Sequence, residues 1–243
     1  MRLDGMTTSS RSPLYHRHRF PPDVIAYTVW LYFRFPLSLR MVEDILAQRG
    51  IIVSHQTIRS WVEKFGRQFA GNIRRRSASK YGDKWHLDEV VITIGGEKHW
   101  LWRAVDQEGF VLDVLVQSRR NTKAAKRLMR KLLKEQGRPP RVMITDKLGS
   151  YGTAKRSIMP GVEHRSHKGL NNRAENSHLP VRRREKVMKR FKSARHLQRF
   201  VSIHDPIANL FHLPRHEMTS SHYRELRATA MEMWNDIAGL KAA

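Results

Sequence analysis

The chain has 243 residues, 40% of them hydrophobic, enough for one sizeable core and a smaller module. Its 46 Lys and Arg against 22 Asp and Glu leave a formal charge of +24, so nucleic acid is the expected partner and a membrane surface the competing one. The lack of cysteine removes disulfide frameworks, thiol nucleophiles and cysteine-ligated zinc, and fits a reducing cytoplasm.

The first residues contain no apolar leader. The run VIAYTVWLYF, Val24 to Phe33, is too short to span a bilayer and reads as a buried helix. The expectation is therefore a cytoplasmic, nucleoid-associated protein with no membrane contact.

Residues 1–20 are polar and basic and read as a flexible arm. Pro21 and Pro22 mark a helix start. A second helix is predicted from Ser38, its cap, to about Arg49, closed by Gly50. Ser54 then caps a third. In it Ile58, Trp61, Val62 and Phe65 fall on one apolar stripe, which leaves Gln56, Thr57, Arg59, Ser60 and Glu63 facing outward. Three short helices with a Gly-containing turn before the third outline a helix-turn-helix domain over 21–80, its linker included. Gln56, Thr57, Arg59 and Ser60 then carry the hydrogen-bonding groups that base edges require. An ordinary amphipathic helix shows the same pattern. The stretch RQFAGNIRRRSASKYGDK reads as a polar, basic linker.

The texture changes at KWHLDEVVITI, a predicted strand. Gly95 and Gly96 make a hairpin turn, KHWLWRAVD is a second strand and FVLDVLVQ a third. Asn121 caps a helix to about Gln136, and RVMITD is a fourth strand ending in an acid. A turn or helix follows from Leu148, a short strand at 162–164, and helices near Asn172 and Ser193. This order predicts an α/β core over 81–212, a mixed sheet with helices on its faces, after a small all-α domain. Residues 213–243 form a C-terminal helical extension that either packs on the core or serves a partner subunit.

Three acids stand out. Asp88 interrupts an apolar strand, where aspartate is disfavoured. Asp146 ends the fourth strand, where open α/β sheets place ligands. Glu175 lies at a helix start inside a stretch, His164 to Lys192, with ten Lys or Arg and one other acid. Three oxygen ligands suit Mg²⁺ or Mn²⁺. Two such ions, roughly 3.5–4 Å apart, activate a water or sugar hydroxyl and stabilise the departing oxygen. Singly, Asp88 also reads as an edge-strand acid, Asp146 as a helix N-cap, and Glu175 as a partner for Arg173 or His178. His86, His164 and His178 read as satisfied polar histidines. Arg119, Arg120, Lys147 and the run Arg182, Arg183 and Arg184 are candidate contacts to phosphates; a solvated charge run is the alternative.

WHLDEV, WRAVD, SRRNTKAA, TDKLGSYG and VEHRSHKGLNNRAEN, in this order, resemble the DDE transposases of compact bacterial insertion sequences, over roughly residues 21–212. The resemblance implies a helix-turn-helix that binds the element's terminal inverted repeats and an integrase-like core of RNase H fold. It implies that Asp88, Asp146 and Glu175 are the catalytic, metal-binding triad. The activity it implies is strand cleavage and strand transfer on double-stranded DNA, by a homodimer or larger assembly. Arg182, seven positions after Glu175, becomes a DNA contact. The gap of 28 residues (175 − 146 − 1) between the last two acids is shorter than this group's usual one. Pro180 falls inside the expected catalytic helix, where proline costs about 3 kcal/mol. Glu185 is the fallback carboxylate. The competing functions are a nuclease without strand transfer and a non-enzymatic DNA-binding regulator.

Overall fold

A computed structural model describes residues 13–77, 81–213 and 217–240. The first helices are α1 (Pro22–Arg34), α2 (Leu39–Ala47) and α3 (His55–Ser77). There follow β1 (Lys84–Ile94), β2 (Glu97–Val105), β3 (Val111–Gln117), α4 (Thr122–Gln136), β4 (Val142–Thr145), α5 (Gly149–Ile158) and β5 (Glu163–Ser166). The chain ends with α6 (Asn172–Ser177), α7 (Leu179–Val187), α8 (Ala194–Leu210) and α9 (Ser220–Ile237). Of the described residues, those up to Ile73 and from Leu210 onward form one compact unit, and those from Arg74 to Asn209 the other. No helix among the described residues is long and apolar enough to cross a membrane.

The first unit is all helix. Ser38 caps α2 by accepting from the Met41 amide, and the Ser54 hydroxyl accepts from the Thr57 amide at the start of α3. The expected stripe of Ile58, Trp61, Val62 and Phe65 is buried. It runs on through Phe69, Ala70 and Ile73, so α3 continues to Ser77 across what its polar composition suggested was linker. The i, i+4 series Phe65, Phe69, Ile73 keeps one face apolar while arginines occupy the other.

Residues 13–20 also depart from a flexible arm. Tyr15 is buried, stacks on Phe65 with ring centroids 5.1 Å apart, and donates its hydroxyl to the Ala238 carbonyl at 2.7 Å. Residues 1–12, the rest of that arm, lie outside the described residues. α9 closes the unit: Trp234 packs edge-on to Phe69 at 5.2 Å, and Asn72 donates to the Ile237 carbonyl.

The second unit is built on a five-stranded sheet of order β3-β2-β1-β4-β5. β1, β2 and β3 are antiparallel, and Gly95 and Gly96 both take positive φ (59° and 87°) at the first hairpin. β4 and β5 run parallel to β1 and its neighbour, which requires the crossovers α4 and α5. Such a sheet, three meandering strands followed by two parallel ones with helices on its faces, is the RNase H-like arrangement. Trp85, Leu87, Trp102 and Met143 join Leu128, Met129 and Tyr151 in one core on the α4 and α5 side.

On the other face of the sheet, Arg103 of β2 is buried and forked onto Asp205 of α8, at 3.1 and 2.9 Å, and donates to the Ser177 carbonyl at 2.7 Å. Pro180 causes no break inside a helix. α6 ends at Ser177, His178 is shared as cap, and α7 restarts with the proline in its first turn, where a missing amide proton is harmless.

Candidate active site

β1 is the central strand, so Asp88 is no edge-strand acid. The last parallel pair of β1 and β4 is Leu87 with Thr145. Asp88 and Asp146 are the next residue on each strand, which sets the two aspartates side by side where β4 ends. Asp146 is firmly held. Its carbonyl accepts from the Thr145 and Ser166 hydroxyls, and its Oδ1 accepts from the Leu148 amide at 2.9 Å. That last bond closes a tight turn ahead of α5, whose N-cap is Leu148 without a side-chain cap bond, so Asp146 is not the helix N-cap.

Glu175 stands on α6, which packs across β1 and β2. Its side chain is exposed and makes no hydrogen bond or ion pair with a described residue, so it partners neither Arg173 nor His178. His178, one helical turn on, turns to Asp88 instead: Nε2 lies 3.2 Å from Oδ2, without the alignment of a directed hydrogen bond. α6 therefore lies over the face of β1 that carries Asp88. Its end is pinned by the buried Arg103 through the Ser177 carbonyl. Burial pushes the His178 imidazole below its usual range, against the opposing pull of Asp88, so the ring is neutral near pH 7.

Of the three histidines expected to be satisfied, His164 is, sharing a 2.9 Å bond with the Thr145 hydroxyl. His178 is met on one side only: Nε2 faces Asp88 at 3.2 Å, outside the alignment of a directed hydrogen bond, and Nδ1 has no partner among the described residues. Nδ1 of His86 is likewise without one.

The donor set of three carboxylates, one half-buried, one at a strand end and one exposed, has the hard oxygen chemistry that Mg²⁺ or Mn²⁺ takes. Among the described residues no three Asp, Glu or His side chains yet stand close enough to share an ion. The sheet thus brings Asp88 and Asp146 together and lays the Glu175 helix over the first of them, without closing the triad.

The candidate phosphate contacts divide. Arg119, Lys147 and Arg183 are exposed. Arg120 is committed to Glu89 at 2.6 Å and approaches Asp146 at 3.5 Å. Arg182 donates to the Val91 carbonyl and pairs with Glu185 at 3.2 Å, leaving it half-exposed and on a different helix from Glu175. Arg184 is buried with its guanidinium 5.3 Å from the Phe200 ring centroid, which corrects its reading as a surface phosphate grip. On α3, Gln56, Arg59 and Ser60 are exposed, and Thr57 is half-buried against the Ser54 hydroxyl. The Ser60 hydroxyl already donates to the Gln56 carbonyl.

Sequence reasoning gave Glu89 no role. It is buried, accepts from the Tyr151 hydroxyl at 2.5 Å, and is held above the usual carboxylate range by burial, against the pull of Tyr151 and Arg120. The signal was present: two adjacent acids in one strand must face opposite ways, so one of them enters a packed layer.

The family described as DDE domain matches residues 82–213. The transposase for the insertion sequence-like element IS431mec of Staphylococcus aureus strain Mu50 is 33% identical over 177 residues, 70% of this chain and 78% of the relative. The transposase for insertion sequence element IS257 in transposon Tn4003, also from Staphylococcus aureus, matches to the same extent. An uncharacterized protein of Yersinia pseudotuberculosis is 32% identical over 89 residues, 36% of this chain and 83% of the relative. A simian T-cell lymphotropic virus intasome in complex with PP2A regulatory subunit B56 gamma overlays with a TM-score of 0.39 at 15% identity, over 52% of this chain and 49% of that one, too slight a likeness to carry an argument.

Proposed function

The chain belongs to the DDE-type transposases of insertion sequences, enzymes of DNA cleavage and strand transfer that use divalent metal, and we propose that Asp88, Asp146 and Glu175 are its catalytic carboxylates. The observation that carries the assignment is the juxtaposition of Asp88 and Asp146 at the β1–β4 seam, with α6 lying over the Asp88 face. Asp88 and Asp146 would hold the ions, two of Mg²⁺ or Mn²⁺, and Glu175, whose carboxylate has no partner among the described residues, would complete the set. Bound there, divalent metal supplies an activated water or 3′ hydroxyl at neutral pH and stabilises the departing oxygen.

The chain's own part is positional. The parallel pairing of β1 with β4 fixes two carboxylates at one point. The Arg103 bond to Ser177 fixes the end of the helix bearing the third. The exposed Arg119, Lys147 and Arg183 would grip the phosphates of the strand being cut, and Arg182 would reach DNA from its half-exposed position. No Ser or Tyr nucleophile is required, because the attacking groups are water and then the freed 3′ hydroxyl.

The exposed Gln56, Arg59 and Ser60, with Thr57 behind them, would read the terminal inverted repeats from α3. Joining two ends calls for at least a homodimer. The site of action is the nucleoid.

The test is nicking of labelled end DNA by the purified full chain in Mg²⁺. D88N, D146N and E175Q each remove cleavage and retain end binding. Cutting by a variant that lacks all three carboxylates excludes the assignment. Metal-independent function that is indifferent to all three substitutions would instead select a DNA-binding protein without catalysis.

A further inference from the structure

The proposed triad leaves one buried carboxylate without a task. Glu89 follows Asp88 in β1 and emerges on the opposite face, its side chain closed off from solvent. Two groups hold it. The Tyr151 hydroxyl donates to Oε2 at 2.5 Å, and Nε and Nη2 of Arg120 both reach Oε1 at 2.6 Å. Trp100, with its ring centroid 5.1 Å from the guanidinium carbon, limits Arg120 further. The same guanidinium comes within 3.5 Å of Oδ2 of Asp146.

One arginine thus stands between two carboxylates, and the shorter contact is to the buried one. Attraction grows as separation and local dielectric fall, so Glu89 holds the prior claim on the charge.

We propose that Glu89 is a positioning residue for the cleavage centre: it holds Arg120 back from Asp146 and so leaves the Asp146 carboxylate able to take a divalent cation. This rests on the reading of Asp146 as a metal ligand. Tyr151 fixes the Glu89 carboxylate so that Arg120 is drawn away from the strand end. With the Glu89 charge removed, Asp146 is the remaining carboxylate within reach of Arg120, and the guanidinium closes on the atom a cation needs.

The test is a Mn²⁺ titration of the full chain, followed by the paramagnetic resonance of free Mn²⁺. E89Q, which keeps an acceptor for Tyr151, weakens Mn²⁺ binding by about tenfold, the low end of what groups around metal ligands contribute. R120Q binds Mn²⁺ more tightly than the wild type. E89Q/R120Q regains wild-type affinity, a rescue that a purely space-filling Glu89 would not show. Wild-type affinity in E89Q, or a double variant as weak as E89Q, overturns the proposal. Should E89Q fail to fold, R120Q decides alone, because Arg120 is exposed: tighter binding supports the proposal, and unchanged or weaker binding overturns it. D146N separates the two levels, since unaltered Mn²⁺ binding there removes the ligand assignment itself and this inference with it.

Discussion

The two units are built in opposite ways. In the helical unit the interior is apolar and aromatic, with Phe65, Phe69, Trp61 and Trp234 at its centre. Gln56, Arg59 and Ser60 are what the helical period leaves outside. In the sheet unit polar groups enter the packed layers: Arg103 with Asp205, Glu89 with Tyr151, and His178 against Asp88. A surface of the first kind can change with little effect on folding. A site of the second kind cannot, because each buried charge depends on its partner.

That contrast can be broken or sharpened by substitution. The largest effect is expected at Asp88 and Asp146. D88N or D146N drops metal-dependent nicking to background, while a mobility-shift assay finds end binding unchanged.

Next come stability losses from each interior. D205N leaves Arg103 buried without its charge partner and costs about 3–5 kcal/mol, read by urea unfolding. Burial alone would raise the Asp205 carboxyl, but Arg103 and His204 outweigh it and hold it below its usual value. Its contribution is therefore full above the unfolded carboxylate pKa and lost as pH falls through the folded value. D205N should flatten the acid limb of the stability curve; an unchanged limb would assign acid sensitivity elsewhere. W234A in the helical unit costs about 3–5 kcal/mol as a large-to-small core change.

The surface of α3 should behave differently. Q56A or R59A removes about 1–3 kcal/mol of discrimination at one base pair yet moves the melting free energy by no more than about 0.5 kcal/mol. A large melting change would erase the contrast drawn here. The smallest expected effect is at the cap of α3, where S54A costs about 1 kcal/mol of stability.

Local signals made most elements legible. Ser38 and Asn121 cap where the sequence places them, and the paired glycines turn the first hairpin. The strands of β1 to β4 follow runs of apolar and β-branched residues. The end of α3 was obscured by composition, because Arg74, Arg75 and Arg76 mask an apolar face that continues through Ile73. The packing of α9 against Phe69 joins residues 165 positions apart (234 − 69), a separation at which no sequence window works.

Around the candidate site, the positions of Asp88 and Asp146 in the sheet were legible, because one acid interrupts an apolar strand and the other ends one. The fates of Arg120 and Arg184 were not. A charged side chain's partner is set by tertiary packing, so two arginines from basic pairs and runs turned out to be engaged by Glu89 and Phe200. Pro180 lies in the first turn of a new helix and not inside one catalytic helix, so Glu175 and Arg182 ride on separate short helices.

The central claim is that Glu175, the carboxylate without a described partner, completes the centre begun by Asp88 and Asp146. Comparing E175Q with E185Q in one Mg²⁺-dependent nicking assay tests it most directly, since Glu185 is the other acid of the same basic stretch and is paired with Arg182. E175Q is expected to be inactive while E185Q still cuts. Full activity in E175Q together with its loss in E185Q would contradict it.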